Sequence, residues 1–143
     1  MEVSLVADGA VEKRQVGTDG KIVLESAASV VHVGIPYEAD AQTLPVAVAL
    51  QDGSYGSGHQ KNVRSMSFRV VNSSGIQAGP DFNNLTEYPA RSTESAGSPP
   101  NLITDEIDLP ISGRWNRSGQ VCIRQAYPLT MKIVSVTTTV EIS

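Results

Sequence analysis

The feature that most constrains this chain is a two-residue alternation of apolar and polar side chains. Between residues 63 and 71, Met66, Phe68 and Val70 alternate with small or charged residues. Successive side chains of a strand point to opposite faces, so this pattern is typical of a strand with one buried face. The chain also contains 17 Val and 9 Ile against 8 Leu, and β-branched side chains favour pleated sheet over helix. We therefore expect an all-β fold, an antiparallel sandwich or open barrel with long polar loops.

Glycine-containing turns divide the chain into short strands. Asp8-Gly9 predicts a tight hairpin because both residues tolerate positive φ angles. A second turn at residues 17–20 leads into the apolar segment at residues 21–25, so residues 1–28 predict a three-stranded N-terminal β-meander. Further strands are expected over residues 29–35, 63–71, 102–111, 121–124 and 129–142. Residues 44–50 are either an edge strand or an irregular segment, since Pro45 interrupts them.

In the last predicted strand, the apolar residues switch from odd to even positions. Met131 and Ile133 occupy odd positions, whereas Val134 and Val136 occupy even ones. A one-residue slip moves the apolar set to the opposite face, so we expect a β-bulge or a change of sheet near Ile133 and Val134. The residues expected in the main core are Met66, Phe68, Val70, Val121, Ile123, Val134 and Val136.

Charge and cysteine content exclude several classes of protein. Lys and Arg number 11 against 15 Asp and Glu, a net charge of −4. A protein that neutralises nucleic-acid phosphates needs a basic excess or a basic stripe, and none is visible here. The single cysteine, Cys122, cannot form an internal disulfide. The longest apolar stretch is far shorter than a bilayer span and no signal peptide is visible, so we expect a soluble protein without a membrane span, made in a cytoplasm.

No combination of residues in the sequence predicts catalysis. His32, His59 and Cys122 lack the paired spacing of zinc ligands. The glycines between residues 53 and 58 match neither a nucleophile elbow nor a phosphate-binding loop. Acids at the spacing of Asp105, Glu106 and Asp108 sometimes form a calcium or glycosidase site, but such a cluster without a partner motif is usually a solvated strand edge. We therefore expect a protein that is not an enzyme and needs no metal or cofactor.

Two polar segments, residues 51–60 and 81–100, predict long loops. Loops of this length in a compact domain are usually functional, and ordering them costs about 1–2 kcal/mol for each residue. We expect them to contact other subunits and to be weakly held in the isolated chain. Phe82, Leu85 and Tyr88 are the large apolar side chains of the longer loop and are candidate subunit contacts. Trp115, in a turn at residues 113–119, is the fourth candidate.

Three stretches of the sequence, taken in order, resemble a known family. The first is VVHVGIPY at residues 30–37, followed by Thr43-Leu44-Pro45; the second is KNVRSMSFRVVNSSG at residues 61–75, followed by Gly79-Pro80. The third comprises GRW at residues 113–115, SGQVCIRQ at residues 118–125 and YPL at residues 127–129. Their order and spacing resemble the C-terminal part of the tail or nozzle proteins, also called stabilisation proteins, of short-tailed bacteriophages. Ile35 stands where Leu is commoner, and YPLT lacks a second proline of the family pattern.

The resemblance implies a non-enzymatic structural component of a bacteriophage particle. It implies other tail subunits as partners, a homo-oligomeric ring, passing contact with DNA, and a location in the virion after synthesis in the host bacterial cytoplasm. Residues 29–143 would carry the resemblance, and the 143 residues would form a single β domain from the C-terminal part of a longer phage protein. The alternative is a carbohydrate-binding or adhesin-like β-sandwich recognising a host-surface glycan. In that case Trp115 would form a stacking platform with Tyr55, Tyr88 and Tyr127.

Overall fold

The protein is all-β, as the alternation predicts. A computed structural model describes residues 1–51, 53, 56–89, 94 and 98–143. These residues form ten strands and contain no helix. The strands make three antiparallel sheets, none of which closes into a barrel.

The N-terminal sheet has the strand order β2-β1-β3, with β1 at Glu2–Ala7, β2 at Ala10–Gln15 and β3 at Val31–Gly34. Asp8 and Gly9 form the tight turn between β1 and β2 with φ angles of 47° and 89°, which confirms the predicted hairpin. The Asp8 carboxylate also accepts the backbone N–H groups of Ser29 and Val30, at 2.9 and 2.8 Å. This pair of hydrogen bonds places the start of β3 beside β1.

The prediction of a strand at residues 21–25 is wrong. The N–H of Gly17 donates to the carbonyl of Lys21 at 2.9 Å, closing a turn, and the following residues stay irregular. An ion pair of 2.7 Å between Arg14 and Glu25 ties this segment to β2 by its side chain. The third strand of the sheet is β3 instead, because Asp8 fixes β3 against the other edge of β1. The N-terminal sheet therefore extends beyond the expected meander at residues 1–28.

Two larger sheets supply one core. In the first, β5 at Lys61–Ser73 lies between β8 at Ile103–Pro110 and β10 at Ile133–Ile142. In the second, the order is β4-β9-β6-β7, with β4 at Ala39–Gln42, β9 at Cys122–Gln125, β6 at Gln77–Gly79 and β7 at Thr86–Glu87. Side chains from both sheets and from the adjoining loops join in a single buried cluster: Val63, Met66, Phe68, Val70, Ile76, Ala78, Ile107, Leu109, Ile111, Val121 and Ile123. Antiparallel sheets that each bury one face are stable when those faces pack together.

The expected bulge occurs at Val134. Ile133 pairs with Val70 and Ser135 pairs with Arg69, so β10 has one extra residue between these partners. Val136 then returns to the inner face and packs against the core, as predicted. Val134 is the extra residue and is 65% exposed, so its predicted place in the core is wrong. Because Val134 alone turns outward, the apolar side chains that follow it in β10 point toward the core again.

Two other strand predictions need adjustment. Residues 44–50 are irregular, which is one of the two expected alternatives. The last strand begins at Ile133 rather than at residue 129. The preceding segment turns at Tyr127 and Leu129, where the N–H of Leu129 donates to the carbonyl of Tyr127 at 2.8 Å.

Candidate functional site

Cys122 and His59, two residues of types that often act in catalysis, make structural contacts here. Cys122 is buried in β9, and burial raises the pKa of its thiol, with the carboxylates of Asp81 and Asp40 adding to the effect. A nucleophilic cysteine needs a lowered pKa, so this environment disfavours thiolate chemistry. His59 Nδ1 lies 2.7 Å from the carbonyl oxygen of Ser143 and helps hold the end of the chain.

The three acids of β8 lie along its exposed side and have partners. Glu106 forms an ion pair of 3.9 Å with Arg69, and Asp108 accepts a hydrogen bond from the Ser67 hydroxyl. The carboxylate of Asp105 accepts the N–H of Glu106 at 2.8 Å. Within residues 1–51, 53, 56–89, 94 and 98–143, no group of three or more His, Cys, Asp or Glu side chains could hold a metal ion.

A groove of about 490 Å³ lies between the N-terminal sheet and the end of β9. We call this surface the groove. It is lined by Ser4, Val6, Ala39 and residues 32–37 and 125–129. None of the lining residues is Asp, Glu, Lys or Arg, so the groove is an uncharged and largely apolar surface.

Strand register explains the floor of the groove. Ser4 pairs with Gly34 and Val6 pairs with His32 across β1 and β3. Residues directly opposite each other in an antiparallel pair point to the same face, so these four positions form one surface. A Cβ atom added at Gly34 would meet nothing within 4 Å, which shows that the floor is open there.

Tyr127 and Gln125 build the opposite wall. Gly75 has a φ of +72°, and a Cβ there would lie 2.9 Å from the Tyr127 ring, so glycine lets the ring lie flat against the backbone. The Tyr127 hydroxyl donates to Glu87 at 3.2 Å, and burial, followed by the nearby Glu87 carboxylate, raises the pKa of this phenol. The buried amide of Gln125 donates to the carbonyls of Ser74 and Leu129, at 3.0 and 3.2 Å. These contacts hold the wall in place without any partner molecule.

Beside the groove, β3 and the residues after it expose a strip of apolar side chains. Ile35 is 74% exposed and Tyr37 is 82% exposed, and Val31 and Val33 are also exposed. Among the described strands, β3 pairs only with β1, so its outer edge carries backbone groups available for hydrogen bonding. Natural proteins usually protect such edges with charges, prolines or bulges. An unprotected apolar edge of this kind is typical of a contact surface.

A second exposed apolar segment comprises residues 43–50, which we call the arm. It contains no charged residue, and Leu44 is 85% exposed. The arm is attached to the body through backbone hydrogen bonds: Thr43 donates to Val121 at 3.0 Å and Val46 donates to Ser118 at 2.8 Å. Leu44 is therefore held at a fixed position while its side chain points into solvent.

The turn at residues 113–119, here called the Trp loop, adjoins the arm. The side-chain oxygen of Asn116 accepts hydrogen bonds from the N–H groups of Ser118 and Gly119, at 3.0 and 2.6 Å. Lys61 is almost completely buried and its ammonium group donates to the carbonyl of Arg117 at 2.8 Å. The loop is thus internally braced, yet it leaves Trp115 51% exposed.

The other three candidate contact residues lie against their own domain. Tyr88 packs on the main core, and its N–H donates to the carbonyl of Ile76 at 2.9 Å. Phe82 is partly buried with the guanidinium of Arg124 5.1 Å from its ring centre, and Leu85 is also partly buried. Residues 81–89 are therefore held on the domain, contrary to the expectation for this half of the longer loop. Residues 90–93 and 95–97 of that loop, and 52, 54 and 55 of the shorter one, lie outside the described residues.

The Trp loop and Tyr127 lie near opposite ends of β5. Asn116 of the Trp loop bridges to Lys61, at the start of β5, whereas Tyr127 of the groove contacts Gly75, just beyond its end. The thirteen residues of β5 correspond to about 40 Å of extended strand at roughly 3.3 Å per residue. Trp115 and Tyr127 therefore do not share one surface. Tyr55, the remaining member of the expected platform, lies outside the described residues.

Comparison with known proteins identifies no relative of this chain. The described part of the chain contains no helix long and apolar enough to cross a membrane. No protein-family model matches the sequence, and no curated protein is significantly similar to it. A functional assignment therefore depends on the surfaces described above and on the three sequence stretches that resemble phage tail proteins.

Proposed function

We propose that the chain is a non-enzymatic structural domain of a bacteriophage particle, part of a tail or nozzle (stabilisation) protein that assembles with other tail subunits. It would be made in the bacterial cytoplasm and act in the virion. DNA would make at most passing contact with it, consistent with the acidic net charge of −4.

One observation carries this proposal. The stretches VVHVGIPY and YPL, which are about 90 residues apart in the sequence, both line the groove and its exposed rim. Any strand of a packed sheet has apolar residues that point into the core, but Ile35 and Tyr37 point into solvent. An apolar surface that a fold maintains without burying is usually a binding surface. The exposure of Ile35 and Tyr37 therefore supports the proposal that this surface contacts other subunits.

The aromatic platform expected for the adhesin alternative does not form around Trp115. Trp115 and Tyr127 lie near opposite ends of β5, and the tyrosine that shares the groove with Tyr127 is Tyr37, which was not among the expected platform residues. Tyr88 contributes to the core and is not free to stack on a ligand.

The proposal is tested on particles of a bacteriophage whose genome carries this coding sequence. An antibody against the purified chain should label the tail in immunoelectron microscopy, and labelling should disappear when the antibody is first absorbed with the chain. Absence of the chain from purified particles, despite its expression during infection, would overturn the proposal. A particle that assembles normally without the domain but no longer attaches to cells would favour the adhesin instead.

A further inference from the structure

The arm and the Trp loop adjoin each other and together form one surface, residues 43–50 and 113–119, which we call the arm–Trp surface. Val46 donates its N–H to the carbonyl of Ser118 at 2.8 Å, and a Cβ atom added at Gly119 would lie 3.5 Å from the Cβ of Val46. Leu44 and Trp115 are both exposed. Two segments in direct contact therefore each leave a large apolar side chain in solvent.

The charged side chains of the arm–Trp surface are all positive. They are Arg114 and Arg117, which are exposed on either side of Trp115. In the part of the chain that the structure describes, neither arginine forms an ion pair. The pKa of the Asp81 carboxyl is lowered mainly by a hydrogen bond from Asn84, and the charge of Arg114 contributes least. Both guanidinium groups are therefore available to an anionic partner.

The loop that presents Trp115 needs no partner to keep its shape. Lys61 and Asn116 exchange backbone hydrogen bonds of 2.6 and 2.9 Å, and the ammonium group of Lys61 donates to the carbonyl of Arg117 at 2.8 Å. These contacts fix the backbone immediately after Trp115. A surface that is ordered before binding loses less conformational entropy when it binds.

This combination of side chains fits the surface of a lipid bilayer. Tryptophan is enriched at the level of the lipid headgroups, arginine is attracted to anionic headgroups, and aliphatic side chains enter the adjoining acyl region. Single-stranded nucleic acid would use the tryptophan and the arginines, but it offers nothing to the exposed Leu44 and Val48. A folded protein would need a pocket for each projecting side chain, whereas a fluid interface accepts them without one.

We propose that the arm–Trp surface binds the surface of a bilayer that contains anionic lipids. Trp115 and Leu44 enter the interface, and Arg114 and Arg117 contact the lipid phosphates. The contact is peripheral, about 5–10 Å deep, and it requires no membrane-spanning segment. It rests on this surface alone and not on the proposed function, so tail labelling and lipid binding succeed or fail separately.

The net charge of −4 does not prevent this contact. At an ionic strength of 0.1 M, exposed charges are largely screened beyond about 10 Å, so the charges close to the bilayer dominate. Glu141, in the strand beside the start of β5, is paired with Arg64 at 2.8 Å. The arginines on either side of Trp115 therefore set the local charge of the arm–Trp surface.

The fluorescence of Trp115 measures the contact on the full chain. Trp115 is the one tryptophan of the sequence, so its emission reports on this surface alone. At about 0.1 M salt, vesicles of equal parts phosphatidylglycerol and phosphatidylcholine should shift the emission to shorter wavelength, and pure phosphatidylcholine should give a much smaller shift. Lipids brominated near the headgroup should quench the emission more than lipids brominated near the bilayer centre. Raising the salt to about 1 M should weaken the binding.

Two double variants with the same net charge separate the site from the overall charge. Arg114→Gln combined with Arg117→Gln should weaken vesicle binding about 30-fold, because each cation near an anionic surface contributes about fivefold. Lys13→Gln combined with Lys132→Gln removes the same charge from exposed positions outside the arm–Trp surface. This control should bind vesicles like the wild type.

A second pair of variants tests the apolar part of the contact. Leu44→Asp should weaken vesicle binding about 10-fold or more, since an aliphatic side chain no longer leaves water. Val23→Asp introduces the same charge at a similarly exposed valine outside the arm–Trp surface and should bind like the wild type. Circular dichroism of each variant is compared with the wild type first. Because the arginine pair and Leu44 lie on different segments, either pair of variants decides the question if the other misfolds.

Three results would overturn the proposal. The first is an emission spectrum that does not shift at millimolar anionic lipid. The second is a site variant that binds vesicles as well as its matched control does. The third is a single-stranded oligothymidylate that shifts the emission at a lower concentration than the vesicles, which would assign the surface to nucleic acid instead.

Discussion

Replacing Phe68 by alanine should remove a large share of the stability of the domain. Phe68 is fully buried in the central strand β5, and its partners in the two flanking strands are Val136 and Ile107. The ring therefore contacts the core where all three strands of the sheet contribute side chains. Truncating a buried aromatic residue loses its transfer free energy and leaves a cavity, at a cost of about 3–5 kcal/mol. Single domains have a free energy of unfolding of only about 5–15 kcal/mol, so the variant should be marginal.

Urea denaturation followed by circular dichroism measures this effect. With a slope of about 1–3 kcal/mol per molar urea, the midpoint should fall by roughly 1–3 M. Val134→Ala is the control, because Val134 belongs to the same sheet but is 65% exposed at the bulge; its effect should stay within about 0.5 kcal/mol. A loss below about 1 kcal/mol for Phe68→Ala would show that the ring does not lie in the core, and the assignment of the two sheets to one cluster would fail.

Three further predictions concern the turns and loops that position the two exposed surfaces. Asp8→Asn should lower the melting temperature at pH 7, because backbone hydrogen bonds from the start of β3 hold the pKa of the Asp8 carboxyl below its usual range. A carboxyl group with a lowered folded pKa stabilises the fold above its unfolded pKa, and this stabilisation is lost as the pH falls through the folded pKa. The difference in melting temperature between Asp8→Asn and the wild type should therefore shrink below about pH 4. A difference that stays constant with pH would refute this. Gly79→Ala should lower the urea midpoint because its Cβ would clash with a backbone carbonyl of the facing loop, whereas Gly34→Ala, with open space around it, should match the wild type. Asn116→Ala should cost about 1–3 kcal/mol and change the fluorescence of Trp115, the one tryptophan, because several donors of the Trp loop lose their acceptor.

The parts of the fold that sequence predicts well are those fixed by local chemistry. The Asp8-Gly9 hairpin follows from backbone conformations that few residue pairs tolerate, and the pairing of Ala7 with Ala10 confirms it. The bulge in β10 follows from the switch of apolar phase, which a regular strand cannot accommodate without exposing half of its apolar residues. Only the identity of the residue turned outward, Val134, is misjudged, since either neighbour of the phase switch satisfies the pattern.

The errors arise where the position of a segment depends on residues distant in the sequence. Residues 21–25 follow a glycine turn and contain three consecutive apolar residues, but they form no strand on β2. The third strand of the sheet is β3, which Asp8 holds against the other edge of β1 through hydrogen bonds to residues more than twenty positions away. The polarity of residues 81–89 likewise suggests a free loop. A single pairing with β6 and the contact of Tyr88 with the core keep this segment on the domain. Periodicity within a segment carries no information about such long-range partners.

The candidate site likewise contains one feature that the sequence predicts and one that it does not. The sequence predicts Trp115 as a subunit contact, and this stays a prediction; the structure shows only that Trp115 is exposed on a braced loop. The groove is not predicted from the sequence. Its floor depends on the register of Ser4 with Gly34, and its wall depends on the position of Tyr127 against Gly75. Neither relation can be read from the alternation of a single strand.

The length and sequence of the exposed β3 edge affect how it could pair with another strand. An edge strand with exposed Val31 and Val33 and no lysine, proline or bulge would favour uncontrolled pairing between copies. Four residues is short for such an edge, and Pro36 limits its extension because proline cannot donate to a ladder. The length of β3 therefore suits the addition of one short segment rather than a continuous sheet. The arm, interrupted by Pro45, has the matching property: it is apolar and extended but cannot itself form a long strand. Pro36 and Pro45 thus limit how far either segment could extend as a strand.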